Sequence, residues 1–260
     1  MKTDLRTVLS LFILLLILPL HSQGQHNVVL NMPHFDDAKI HYGFILGVNQ
    51  SFVTIKPISD LRTRVFLLTE IPDILPTPDS ARVLSISSNA VPGFVVGILA
   101  NLRMGDHFDL RFIPSLAFGD RTLYYEIKTY KVADSMQVQI SKKVPSTYIN
   151  FPLEIRFKAK RYNNFRPYLL AGAQYTLDLA SNAKKREQKN QKEKIIKFNQ
   201  NDIYAEAGVG FDFYNEWFKF GVELKMMFGL FDVLKQEGNI YTESIDKLNS
   251  KIFQLSLSFE

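Results

Sequence analysis

Nine charged residues in this chain fall at alternate positions among apolar ones, and that spacing constrains what they can do. They are Asp109, Arg111, Glu154, Arg156, Lys158, Glu206, Asp212, Glu223 and Lys225. Asp109 and Arg111 flank Leu110, while Glu154, Arg156 and Lys158 interleave with Ile155 and Phe157. Glu206 and Asp212 share a face with Gly208 and Gly210, and Glu223 and Lys225 flank Leu224. Successive side chains of an extended chain point to opposite faces, so these charges gather on the side away from the apolar rows. Acids and bases held together can form ion pairs, relay protons or grip a substrate. Ion pairing is the favoured reading, because a lone charge in a low-dielectric interior is costly. A proton or substrate path is the alternative.

Other chemistry has less to stand on. Hydrolysis needs a base beside a nucleophile, most often His. The five histidines are His21, His26, His34, His41 and His107, and none lies in a long connecting segment. No Gly-x-Ser-x-Gly, His-Glu-x-x-His or phosphate-binding glycine loop occurs. Cys is absent, which excludes disulfides and thiol chemistry. The sequence therefore predicts no catalytic residue, no cofactor, no metal and no small-molecule substrate. One further charged stretch stands apart: Lys184, Lys185, Arg186, Lys189, Lys192, Lys194 and Lys197 crowd the segment 181–201. Its plain reading is a solvated loop, and its functional reading is contact with anionic lipopolysaccharide or an acidic partner. Nucleic acid is not expected, since no aromatic residues interleave the basic ones.

The elements that must position these residues are strands. From Thr147 to Lys158 the residues alternate strictly, with Ile149, Phe151, Leu153, Ile155 and Phe157 on one face. After the turn Arg161 to Asn164 the pattern resumes with Pro167, Leu169, Ala171, Ala173, Tyr175, Leu177 and Leu179. Runs of about ten alternating residues suit tilted strands that cross a bilayer. Six more follow the same rule: Ile40–Phe52, Ala90–Arg103, a third from His107, and three beginning near Ile203, Phe218 and Phe253. The third can be followed through Arg121 to Tyr130, beyond the membrane; residues 131–145 read as a loop, and 54–88, with Pro57, Pro72, Pro76 and Pro78, as a long connection.

Eight strands is an even number, as such barrels require, and the seven connections alternate long and short. The expected fold is an all-β, eight-stranded antiparallel up-and-down transmembrane barrel, with short periplasmic turns, long extracellular loops and both termini periplasmic. Aromatics near the short turns (Phe108, Tyr162, Phe165, Tyr214 and Trp217) would mark the membrane boundary. A soluble lipocalin-like barrel would show the same alternation with its faces reversed. Glycines on the polar faces, among them Gly43, Gly47, Gly93, Gly97, Gly172, Gly208, Gly210 and Gly221, argue instead that those faces crowd inward, with Phe and Leu toward lipid.

The N-terminus places Lys2 and Arg6 before the apolar run Val8–Leu20 and the polar stretch His21 to Gln25. That is the layout of a secretory signal peptide, with cleavage expected after Gly24. The domain reading is then residues 1–24 as signal peptide, 25–39 as a lead-in and 40–260 as the barrel.

Several short motifs carry a resemblance. They are Phe35-Asp36-Asp37-Ala38-Lys39-Ile40-His41-Tyr42-Gly43-Phe44, Pro92-Gly93-Phe94-Val95-Val96-Gly97, Asp109-Leu110-Arg111-Phe112-Ile113-Pro114, Ser146-Thr147-Tyr148-Ile149-Asn150-Phe151-Pro152-Leu153, and Asn163-Asn164-Phe165-Arg166-Pro167-Tyr168. In order and spacing the chain resembles the PorT family of Bacteroidetes outer-membrane barrels, similar to small OmpX-type barrels. The resemblance implies a part in the type IX secretion system, which exports proteins and serves gliding motility, with other envelope proteins as partners. It brings no catalytic residues. An adhesive or structural barrel without a secretion role, its basic loop touching lipopolysaccharide or a surface, is the alternative.

Overall fold

The computed structural model describes residues 29–67, 74, 78–131, 134–179 and 196–260. Its strands are β1 (Ile40–Pro57), β2 (Phe66–Leu67), β3 (Ser80–Asn89), β4 (Val91–Arg103), β5 (Phe108–Phe112), β6 (Ser115–Lys131), β7 (Asp134–Lys158), β8 (Phe165–Asp178), β9 (Lys197–Phe198), β10 (Asn201–Tyr214), β11 (Lys219–Gly229), β12 (Leu234–Lys235) and β13 (Ile245–Phe259). A single helical turn, α1 (Ile240–Glu243), precedes β13.

Eight staves close into a ring. β5 and β6 form one stave, broken where Pro114 lacks the N–H that a ladder needs. The register against β7 runs through the break unchanged, from Phe112↔Leu153 to Ser115↔Asn150. β3 and β4 form another. Here the register slips twice against β6, once between Val83 and Ser85 and again between the pairs Asn89↔Thr122 and Phe94↔Phe118. Around the ring each stave pairs antiparallel with the next, and β1 closes it by pairing with both β13 and β4. The fold is the eight-stranded antiparallel up-and-down barrel that the alternation predicts.

The barrel is inside-out over most of its height. Phe44, Leu46, Val48, Ile98, Leu153, Ile155, Leu169 and Leu224 are all exposed on its outer surface. Rings gather at two levels of that surface. At the turn end Phe44 stacks on Phe259, which meets Phe220 and Phe218, and Phe213 joins Phe220 to Phe165. At the loop end Phe52 stacks on Phe253 and Phe94 on Phe118. Along β1 the two levels are eight residues apart, about 27 Å of strand at 3.4 Å per residue. A tilt of about 40° reduces this to roughly 20 Å, close to the apolar band of an outer-membrane barrel.

Several expectations are corrected. Lys131 and residues 134–145, expected as a loop, are strand. β6 and β7 run on as one hairpin paired as far as Lys131↔Asp134, and β3 joins β6 as a third strand. Likewise the connection 54–88 contains the end of β1, through Pro57, as well as β2 and β3. Residues 138–145 keep the alternation of a strand through Pro145, and β3 resumes it after the bulge between Val83 and Ser85. Tyr214 does not face the membrane boundary. It is buried, with the guanidinium of Arg161 over its ring at 3.7 Å.

Above the membrane-facing band the strands and connections enclose a second core. Val53, Leu61, Phe66, Val83, Leu123, Tyr125, Ile127, Phe198, Val233, Ile240, Tyr241, Ile245 and Leu248 pack together there. α1 is fixed by a reciprocal capping box, in which Asn239 accepts from the backbone of Thr242 while Thr242 reaches back. That turn seats Tyr241 under Tyr125, whose hydroxyl donates to the Tyr241 carbonyl at 3.1 Å.

Candidate functional site: the barrel interior

The interior is built from the inward positions of every stave, and it is layered. Nearest the turn end, Lys158 meets Asp109 at 2.7 Å, Arg156 meets Asp212 at 2.7 Å, and Lys219 meets Glu260 at 2.8 Å. One layer deeper, Arg111 meets Glu223 at 2.8 Å and Lys225 meets Glu154 at 2.5 Å. Lys225 also stands 3.5 Å from Glu223 and 3.9 Å from Glu206, and Arg111 stands 3.8 Å from Glu154. All nine charged residues singled out in the sequence are buried in this one cluster. Their alternation placed them there.

Tyr168 joins the two layers. Its hydroxyl donates to Glu223 at 3.0 Å, and the guanidinium of Arg156 lies 3.5 Å from its ring centroid. The ring has room because residue 210 is glycine, where an added Cβ would stand 2.2 Å from the ring's Cζ. Tyr168, Lys219, Glu260, Arg166 and Asp36 belong to the cluster and were missed. Tyr168 and Arg166 share the parity of the polar face of β8, Lys219 that of β11 and Glu260 that of β13, which was signal enough.

Asp36 shows what the lead-in does. Residues 29–38 lie across the turn end of the barrel as a strap. Arg166 grips the Asp36 carboxylate with both terminal nitrogens, at 2.6 and 3.1 Å. Asn31 donates from its side chain to the Tyr214 carbonyl at 3.0 Å, and its backbone N–H donates to the Asn164 Oδ1 at 2.9 Å. Arg161 donates to the carbonyls of Met32 and Asn31, and Arg103 to that of Asp36. Phe35 stacks on His41 with centroids 4.0 Å apart. Burial alone would raise the Asp36 carboxyl pKa, but the hydrogen bond and charge of Arg166 outweigh it. The group titrates below the ordinary aspartate value of 3.8.

Above the charges the interior turns neutral. Gln174 donates to Thr176 at 2.9 Å, and Thr176 to Asn150 at 2.9 Å. A cavity of about 10 Å³ beside them has room for a single water. Arg121 ends the polar column, donating to the Tyr204 hydroxyl at 3.2 Å and lying over the rings of Tyr148 and Phe198. Beyond it begins the apolar core. Side chains thus fill the lumen from strap to cap, as an eight-stranded barrel requires. Of the basic segment, Lys184, Lys185, Arg186, Lys189, Lys192 and Lys194 lie outside the described residues. Lys197 is in β9 and pairs with Glu237 at 2.8 Å.

Among solved structures, the outer membrane protein OprG of Pseudomonas aeruginosa shares 15% identity, with 84% of this chain and 93% of that chain covered and a TM-score of 0.36. Neisserial surface protein A shares 11% identity, with 85% and 98% covered and a TM-score of 0.38. A search of curated protein sequences returns no match. Residues 22–235 match a family defined by its outer membrane protein beta-barrel domain. This chain, with its outward apolar girdle and inward charges, belongs to that family of outer-membrane β-barrel proteins.

Proposed function

We propose that this outer-membrane barrel acts by holding partner proteins, as a component or accessory of type IX secretion, and neither conducts nor converts a solute. The observation that carries the reading is the filled lumen: a strapped, ion-paired lower half beneath an apolar cap offers a solute no path. What remains available is surface, namely the turn end with its strap and the strands that stand above the membrane band. The resemblance of five ordered motifs to the PorT family supplies the pathway. Short turns toward the periplasm and the cap toward the exterior would suit both sets of surfaces.

Deleting the gene tests the reading. Export cargo should accumulate in the periplasm, and crosslinks from the turn-end residues Tyr162 or Trp217 should trap other envelope proteins. Normal export would sink it, and so would stable ionic conductance of the purified barrel in a planar bilayer.

A second reading, adhesion without a secretion role, has its own support. The sheet of β3, β6 and β7 presents a polar outer face with a groove of about 450 Å³, lined by Ser85, Ser87, Tyr124, Glu126, Gln137 and Gln139. Glu126 is held there by Ser85 at 2.9 Å and by Gln137. Tyr124→Ala with Gln139→Ala should abolish surface attachment, with export unchanged, if this reading is the right one.

A further inference from the structure

Among the described residues, paired strands set two cations directly opposite one another at three places: Arg82↔Lys128, Lys197↔Lys235 and Lys56↔Lys247. Like charges in that position repel, so each pair needs something between. The first pair has the ring of Tyr130, with both cations 5.5 Å from its centroid. The second has Glu237, at 2.8 Å from Lys197 and 4.0 Å from Lys235. The third is different. Asp246 satisfies Lys56 at 2.5 Å, but Lys247 meets no carboxylate among the described residues.

The place of this third pair is informative. Along β13 the outward residues run Phe259, Leu257, Leu255 and Phe253, then Lys251, Asn249 and Lys247. Lys251 lies opposite Phe52 and Phe228, at the rim of the apolar band, with its ammonium 5.9 Å from the Phe228 ring centroid. Lys247 is four residues farther, about 13 Å along the strand. Between them Asn249 donates to the carbonyls of Gly229 and Phe231, which holds the segment carrying Leu230 and Phe231 against this face. Both of those side chains are exposed. Elsewhere at this height, on β6 and β7, Asp120 neutralises Lys143 at 2.7 Å.

We propose that the outer face of β1 and β13 binds a phosphorylated glycolipid of the outer leaflet. One phosphate sits between Lys56 and Lys247, a second sits at Lys251, and acyl chains lie on the band below and against Leu230 and Phe231. The proposal rests on the reading above that the cap end faces the exterior. Its logic is charge and position: two cationic points about 13 Å apart along the tilted strand, rising from the rim of the apolar band through the headgroup layer, beside exposed apolar residues. An acidic protein would match the charge but not the apolar seat.

Native mass spectrometry of the purified full-length mature barrel in a mild non-ionic detergent tests this, with diphosphorylated and dephosphorylated lipid A as probes. Wild type should retain the diphosphorylated lipid and lose the dephosphorylated one. The triple variant Lys56→Gln, Lys247→Gln, Lys251→Gln should bind roughly a hundredfold more weakly, at a factor of about five per lysine near a membrane surface. Lys39→Gln with Lys160→Gln, at the turn end, should bind as wild type. Equal binding of the triple variant, equal loss in the turn-end variant, or indifference to the phosphates would overturn the site, as would displacement by millimolar inorganic phosphate. Heat-modifiable migration on a gel establishes that each variant is folded. Labelling Gln139→Cys on intact cells with an impermeant maleimide reports orientation separately, so a failed lipid site and a reversed barrel are told apart.

Discussion

The two halves of β6 obey opposite rules. From Ser115 to Phe118 the outward residues are Leu116 and Phe118, and the inward ones are Ser115 and Ala117. From Asp120 onward the outward residues are Asp120, Thr122, Tyr124, Glu126 and Lys128. The inward ones, after Arg121, are Leu123, Tyr125 and Ile127, all fully buried. β13 makes the same exchange between Phe253 and Lys251 outside, with Gln254 giving way to Ile252 and Leu248 inside. The strand geometry does not change, but the solvent outside it does. In lipid, apolar side chains gain nothing by turning inward and the lumen can be polar. In water, the hydrophobic effect returns and apolar residues must fill the interior. The residue at which the pattern inverts therefore marks the edge of the bilayer on each stave.

Breaking the lower half should have the larger effect. Arg111→Ala leaves Glu223 and Glu154 buried beside a missing cation. Removing one member of a buried pair costs about 3–5 kcal/mol. Urea unfolding of the refolded barrel in lipid vesicles should show that loss. Leu123→Ala in the cap should cost about 2–4 kcal/mol through a cavity. Hydrogen exchange should place that loss in the cap amides and leave β8 and β10 protected; uniform loss would mean the halves are one cooperative unit.

The inversion itself is sharpened by a matched pair on β1. Leu46→Lys, within the apolar band, should destabilise by about 2–4 kcal/mol. Thr54→Lys, beyond it, should change stability by less than about 0.5 kcal/mol. Equal costs would show that the boundary is misplaced. The smallest effect concerns the strap. The Asp36 carboxyl has its pKa lowered in the folded protein, so its contribution is complete above the ordinary value of 3.8 and is lost as pH falls through the lower folded one. Proteolysis near residues 29–38 should therefore rise only in strong acid. Asp36→Asn should produce it at neutral pH, at a cost of about 1 kcal/mol or less.

Much of this was legible in the sequence. Alternation alone located the eight staves and placed all nine interior charges, because period two is rigidly tied to face. The cap was not read, although the same alternation continues through Leu123, Tyr125 and Ile127. Those residues lie on the face that was polar a few positions earlier, so a reader who fixes one sense for the whole strand discards them. The bulges of β3 hid the rest, since each one-residue slip moves the apolar set to the other face. Pairings such as Arg111 with Glu223, 112 positions apart, are set by stagger around the ring and cannot be counted along the chain.

The strap carries a consequence for the order of assembly. Each of its anchors lies far away in the chain: Asn31 bonds residues 133 and 183 positions on, and Asp36 one 130 positions on. Asn164, Arg166 and Tyr214 stand together at the ends of the paired staves β8 and β10, whereas Arg103, which donates to the Asp36 carbonyl, stands on β4 at another part of the ring. Closing so long a loop has an entropic cost, and nothing offsets it until every anchor is in place. The strap thus settles after the staves that anchor it, so a docked strap reports that β4, β8 and β10 behind it are in place.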